Sequence, residues 1–338
     1  MVSTSPKLDL TAFPRYPLVD GATPMQHLAR LSKKLGSVDI FVKRDDVMGL
    51  GGGGNKLRKL EFLIGEAQAA GADTIVTVGA LQSNHARLTA AAAAKAGLAC
   101  ELVLTRSVPR DDEDFLLNGN VLLDSLLGAK VHNIADPVEA LPFIETRMAE
   151  LRAAGHGVYM APFGGSSATG CLGYASCASE ILSQSNDLQI SFDRIVVPNG
   201  SGGTQAGLVA GMLAMNQDAK IVQSYNVLWP VEKARSATRG LAQDTLTRLS
   251  PGLTVPEDGV VVVDGQIGEG YGLPTDAMRE AVRTVASVEG LLIDPVYGGK
   301  AFAGLLEDIQ DGNLRQGAKV LFVMTGGLPG LFAYRRAF

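Results

Sequence analysis

Four glycines, Gly51 to Gly54, are followed at once by Asn55 and Lys56, so a primary amine stands directly behind a run of bare backbone. Such backbone permits positive φ and the close approach of a bound group. Asn55 is placed to cap a helix whose early turns hold Lys56, Arg58 and Lys59 among the apolar Leu57, Leu60, Phe62 and Leu63. Basic residues in a first turn oppose the helix dipole, so local helix stability does not explain them. Two readings remain: solvated lysines on an amphipathic helix, or an amine poised to meet a bound molecule. ATP held by a Walker loop is not among them, because Leu57 stands where a Ser or Thr would hold magnesium.

Three further loops follow predicted strands. Gly79-Ala80-Leu81-Gln82-Ser83-Asn84-His85 begins a helix at Ser83 or Asn84, whose N–H groups suit a carboxylate. An ordinary helix cap explains the same residues. Asn199-Gly200-Ser201-Gly202-Gly203-Thr204 offers glycine backbone, two hydroxyls and a helix N-terminus, which suits a phosphate. It lacks GxGxxG spacing and the acidic residue about 20 positions on, so dinucleotide binding is disfavoured. Met324-Thr325-Gly326-Gly327 follows the last strand, and Thr325 also suits a plain cap. Tyr271 and Tyr297 each lie among glycines, with little local packing reason to be there. A lysine, an apolar β/α cleft and a separate phosphate cradle are together explained by pyridoxal 5'-phosphate carried on Lys56 as a Schiff base.

The elements that must position these groups alternate β and α. Strands are expected at Ile40–Arg44, Thr74–Val78 (ended by Gly79), Cys100–Leu104, Lys130–Ile134, Val158–Met160, Arg194–Val197, Ile221–Ser224, Val260–Val263 and Val320–Met324. Helices are expected around Gln26–Leu35, from Lys56, to Ala96, and over Phe115–Leu127, Val138–Ala154, Gly173–Leu182, Thr204–Met215, Val231–Leu249, Asp276–Ser287 and Lys300–Asp308. Gly164-Gly165-Ser166-Ser167 breaks the pattern, as at a crossing between domains. The alternation implies an α/β fold with doubly wound parallel sheet and ligands at the strands' carboxyl ends.

Composition agrees. A chain of 338 residues, 46% hydrophobic and 19% charged, suits a compact α/β protein of about two domains. A net charge of −5 argues against nucleic-acid or anionic-membrane binding. Cys100, Cys171 and Cys177 show no metal-ligand spacing, so no metal is expected and a reducing cytoplasm is. The opening MVSTSPKLDL lacks the charged-then-apolar pattern of a secretory signal, and the apolar windows are too short to span a bilayer.

The motifs Gly53-Gly54-Asn55-Lys56-Leu57-Arg58-Lys59-Leu60-Glu61, Gly79-Ala80-Leu81-Gln82-Ser83-Asn84-His85 and Asp294-Pro295-Val296-Tyr297-Gly298-Gly299-Lys300 resemble the D-cysteine desulfhydrase and 1-aminocyclopropane-1-carboxylate (ACC) deaminase family. These are tryptophan-synthase-β-like, fold-type II pyridoxal enzymes, and the resemblance runs from about Phe13 to Tyr334. It implies two doubly wound domains with the cofactor in the cleft between them. The large domain would hold residues 1–57 and 165–338, with a small domain, 58–164, inserted. By position, Lys56 is the Schiff-base lysine and Asn55 meets the ring hydroxyl. Ser201, Gly202, Gly203 and Thr204 hold the phosphate, and Thr325 lies against the pyridine nitrogen. Ser83, Asn84 and His85 belong to the substrate, and Tyr271 and Tyr297 line the reacting face. A homodimer is implied as well.

ACC deaminases of this family carry Glu where this chain has Gly298 and Leu where it has Thr325. A neutral threonine hydroxyl makes a weaker electron sink than a carboxylate, which suits β-elimination. The expected reaction is therefore α,β-elimination on a small 3-sulfur-substituted alanine, D-cysteine first. L-cysteate releasing sulfite, ACC deamination, and a non-catalytic module holding a nucleotide phosphate are the alternatives. The Cα base is either the freed Lys56 amine or a tyrosine. His85, Arg87 and the segment Tyr225–Trp229 are candidates for a sulfonate pocket.

Overall fold

The computed structural model describes residues 8–338; Met1–Lys7, part of the opening stretch inspected for a signal, lie outside the described residues. Strands β1 (Met25–His27), β2 (Val38–Lys43), β3 (Thr74–Ala80), β4 (Ala99–Thr105) and β5 (Lys130–Ile134) come first. Strands β6 (Val158–Ala161), β7 (Arg194–Asn199), β8 (Val222–Asn226), β9 (Val261–Val263) and β10 (Ala318–Val323) follow. They form a six-stranded sheet in the order β1-β2-β10-β7-β8-β9 and a four-stranded sheet in the order β5-β4-β3-β6. All pairings are parallel except that of β1 with β2. The smaller sheet draws on the continuous stretch 74–161, and the larger on residues either side of it.

The centre of the larger sheet is buried on both faces, which is why its strands read as unbroken apolar runs. Phe322 of β10 lies opposite Val42 of β2 on one side and Val196 of β7 on the other, and all three are fully buried. Three expectations are corrected at element ends. The expected helix at Gln26 is strand β1, because Met25–His27 pairs with Phe41–Lys43 along the sheet edge; the helix starts at Ala29. Strand β3 does not stop at Gly79 but continues to Ala80, which pairs with Thr105. The single helix expected over Phe115–Leu127 is two, Glu113–Leu117 and Asn120–Leu126, broken where Gly119 adopts a φ of 62°.

The helix Lys56–Ala69 packs against the helices Ala168–Asp187 and Asn84–Ala96. Leu57, Leu60, Phe62, Leu63 and Ile64 are completely buried, worth about 1.5–3 kcal/mol each relative to exposure. Its Arg58 and Lys59 are buried too. Arg58 donates to both oxygens of the fully buried Asp45 (2.9 Å each) and to Glu180 (2.7 and 2.9 Å). Tyr174 and Thr23 also donate to Asp45, at 2.5 and 2.8 Å. Burial alone would raise the Asp45 carboxyl, but Arg58 and the other donors hold it below its ordinary value. Arg58 thus bolts the lysine helix to the strand β2 loop.

Candidate active site

Gly53 has a φ of 73°, and a Cβ there would lie 2.3 Å from the Asp46 carbonyl, so the loop before Lys56 admits only glycine at this point. Gly54 bridges to Gly326, and the Asn55 N–H donates to the Thr325 carbonyl at 3.0 Å. The lysine loop and the last-strand loop are therefore pinned together. Asn55 does not cap the helix, contrary to expectation: its backbone is already helical and its side chain makes no capping bond. It reaches across instead, Nδ2 donating to Thr204 Oγ1 at 2.9 Å, and accepts from Lys56 Nζ at 3.2 Å. Burial first, and then the Lys59 charge, pull the Lys56 amine well below its ordinary value, with Asp294 opposing.

Asn199 ends β7, and the helix Gly203–Ala214 starts beyond the turn. Ser201 Oγ lies 2.8 Å from Ser166 Oγ. A Cβ at Gly203 would lie 2.4 Å from Ser166 Oγ and 2.8 Å from Lys59 Nζ. Lys59 and Ser166 are thus partners of this turn that the sequence reading did not assign. The signal existed: Lys59 is three residues from Lys56 and so shares its helix face. The Gly164–Ser167 break carries Ser166 to the turn. Lys59 Nζ is buried and donates to the Gly164 carbonyl (3.1 Å) and Ser166 (3.2 Å). Burial pulls its amine down to about 8, with Cys171 opposing.

Ser83 caps the helix Asn84–Ala96, its Oγ accepting from the Ala86 N–H at 3.1 Å. Its own N–H donates to the Ala80 carbonyl, so the N–H groups of Asn84 and His85 are the first-turn donors suited to an anion. The Asn84 side chain is held through Oδ1 by Asn120 (3.0 Å) and Arg87 (3.3 Å). Thr77 donates its hydroxyl to the Ala161 carbonyl, so at 3.0 Å it accepts from His85 Nε2, which therefore carries the ring proton. Burial, then the charges of Lys56 and Lys59, push the His85 imidazole well below its ordinary value, so it is neutral. Arg87 is completely buried, donating to the Gly53 carbonyl (2.7 Å) and Asn120 (2.6 Å). Tyr225 donates to Asp308, and of the segment ending at Trp229 only Leu228 lines the cleft. The cationic pocket considered for a sulfonate is not assembled by these residues.

The Tyr271 and Tyr297 hydroxyls lie 2.5 Å apart, and burial pushes both phenols up. Tyr297 is set by Asp294, whose carboxylate accepts the N–H groups of Val296 (2.9 Å), Tyr297 (2.8 Å) and Gly298 (2.7 Å). Lys300 donates to the carbonyls of Ile267 and Gly270, clamping the loop that carries Tyr271.

One cleft enclosing about 650 Å³, part of it open to solvent, collects Asn55, Lys56, Ser83, Asn84, His85, Ser201, Gly202, Thr204, Tyr271, Tyr297 and Thr325. Gly203 is packed behind it, against Lys59 and Ser166. Phe163 lines it as well and had no signal in its local sequence.

A profile of the family described as pyridoxal-phosphate dependent enzyme matches residues 17–326. The D-cysteine desulfhydrase of Serratia proteamaculans (strain 568) is 42% identical over 332 residues, covering 96% of this chain and 97% of that protein. The D-cysteine desulfhydrase of Yersinia enterocolitica (serotype O:8 / biotype 1B) is 42% identical over 328 residues, with the same coverage of 96% and 97%. The crystal structure of an ACC deaminase homologue, 39% identical, superposes with a TM-score of 0.87 over 97% of this chain and 96% of its own. With two mainly parallel sheets, a half-buried lysine and a glycine–hydroxyl turn facing one cleft, this chain belongs to the D-cysteine desulfhydrase and ACC deaminase family of fold-type II pyridoxal-phosphate-dependent enzymes.

Proposed function

We propose that the protein is a carbon–sulfur lyase that converts D-cysteine and water to pyruvate, ammonia and sulfide. One observation carries the reading. A half-buried amine of lowered pKa, Lys56, and a turn suited to a phosphate, Ser201–Thr204, face the same cleft. The likeness to D-cysteine desulfhydrases over nearly the whole chain supports the substrate. So does the lining. Among the described residues no arginine lines the cleft, and His85 is neutral, so a thiol is favoured over the sulfonate of L-cysteate. Any side chain at Gly298 would start 3.0 Å from Asp294 Oδ1, which disfavours the glutamate of ACC deaminases.

The residues fit the cofactor. Lys59 and the Ser201 and Thr204 hydroxyls, with the N–H groups of Gly202 and Gly203, are the groups to hold its phosphate. Asn55 and Thr325 are the groups to hold its ring, and Lys56 its aldehyde. Pyridoxal phosphate, when bound, supplies the electron sink that makes the substrate Cα–H acidic. The chain supplies the rest. The first-turn N–H groups of Asn84 and His85 bind the substrate carboxylate, with Ser83 setting the turn. Lys56 Nζ, its pKa drawn well below the ordinary value by burial, takes the Cα proton. The half-buried Tyr271 and Tyr297 keep their protons, so they serve as donors to the departing sulfur and not as the base. The released 2-aminoacrylate hydrolyses in water to pyruvate and ammonia. The same reading carries a cytoplasmic homodimer with domains 1–57 plus 165–338 and 58–164.

The test is spectroscopic and kinetic. The purified protein should be yellow, bleach with borohydride with the label on Lys56, and form pyruvate and sulfide from D-cysteine. K56A should lower turnover by at least about 10³-fold, the loss expected when a nucleophile that is also the base is removed. A colourless protein, or undiminished K56A turnover, would overturn the assignment. Pyruvate and sulfite from L-cysteate at higher kcat/KM would replace the substrate but not the chemistry.

A further inference from the structure

A second cavity opens at the carboxyl ends of β4 and β5, enclosing about 1050 Å³ of space, part of it open to solvent. Its walls are apolar, formed by Leu104, Leu116, Val121 and Val131. Besides Ser125 and Asn133, an acidic and a basic side chain break that apolar lining. Asp124 is 0% exposed, and neither of its carboxyl oxygens has a hydrogen-bond partner. Arg106 is exposed at the rim and has neither a hydrogen bond nor an ion pair among the described residues. Buried polar groups are almost always satisfied, and a carboxyl left without a donor is costly. Burial pushes Asp124 up to about 8, with only the Arg87 charge opposing. A cationic donor entering the cavity would relieve that cost.

We propose that this cavity is a second binding site, for a small aliphatic amino acid. Its ammonium pairs with Asp124, its carboxylate with Arg106, and its side chain fills the leucine–valine walls. The site reports to the active cleft through shared residues. Leu81 lines the cavity, while Ser83 and Asn84 of the same loop line the cleft. Arg87, whose charge faces Asp124, also holds Asn84 and the Gly53 carbonyl before the reactive lysine. Asp124, largely protonated at pH 7, ionises when it pairs with a ligand ammonium, and the new charge pulls on Arg87 and changes how firmly Arg87 holds both loops. Occupancy therefore changes KM for the substrate.

The experiment is calorimetry on the pyridoxal-phosphate-loaded protein with leucine and with 4-methylpentanoate, which lacks the amine. Leucine should bind saturably and 4-methylpentanoate should not. D124N should weaken leucine at least about ten-fold, the loss of one charge-assisted pair, while turnover without leucine is unchanged. R106Q, on the exposed rim, should weaken it by a similar factor and serves should D124N fail to fold. Leucine should shift the wild-type KM about five-fold or more and leave that of R106Q unmoved. No saturable heat, equal binding of the two probes, or equal leucine affinity in wild type and R106Q would overturn the proposal. Asp124 would then be satisfied by Arg87 through water alone. Because binding is read as heat, the result stands whether or not D-cysteine proves to be the substrate.

Discussion

Lys59 turns a buried position into a pH-dependent one. Its amine sits near 8, against an ordinary 10.5, because burial disfavours the charged form. A phosphate dianion beside it raises that value again, so binding takes up a proton when the pH is above 8. Affinity for pyridoxal phosphate should therefore fall as pH rises past about 8, by up to about ten-fold per pH unit for one proton. K59M should bind more weakly at pH 7 and lose that pH dependence; fluorescence titration of the apoprotein checks both. In the protein without phosphate the sign is opposite. A lysine whose folded value is depressed costs stability at neutral pH, and the cost fades as pH rises from 8 toward 10.5. Lys56 was legible because bare glycines precede it. Lys59 was legible only as a helix-face neighbour, since what it meets, Ser166 and the Gly203 turn, lies more than a hundred residues away.

At the level of elements, the lysine helix shows how a polar network aims a reactive group. Arg58 is 3% exposed and shares Asp45 with Tyr174 and Thr23. Replacing Arg58 with Met leaves a buried carboxyl without its cation and should destabilise the fold by about 3–5 kcal/mol. Adding D45N should recover part of that loss, since no uncompensated charge then remains; urea unfolding of both variants tests it. From the sequence, Arg58 and Lys59 looked alike, two basic residues in a first turn. Only tertiary partners made one a brace and the other a phosphate candidate. Long strands such as β3 and β10 were legible because burial on both faces requires β-branched and apolar runs. Strand β1 was not, because three residues carry no period and pairing with β2 decides them. The break at Gly119 was hidden for a related reason. The residue takes a positive φ where its backbone packs within reach of Gln82 and Pro329, a contact made only in the finished fold.

For the molecule as a whole, the cleft takes residues from both sheets' loops, so a cofactor bound there stabilises the assembled form and not either half. At a hundred times its Kd, pyridoxal phosphate should add about 2.7 kcal/mol, raising Tm by several degrees. K56A and K59M should each shrink that rise, measurable by differential scanning calorimetry. The pairing of β2 with β10 has one more consequence, for how the protein is made. The four-stranded sheet comes from one uninterrupted stretch and can close while the ribosome is still at work. The six-stranded sheet cannot, because Val42 finds Phe322 only when the last strand has emerged. Thr325 lies just beyond that strand, so the nascent chain has no finished cofactor pocket until β10 and the loop after it have emerged.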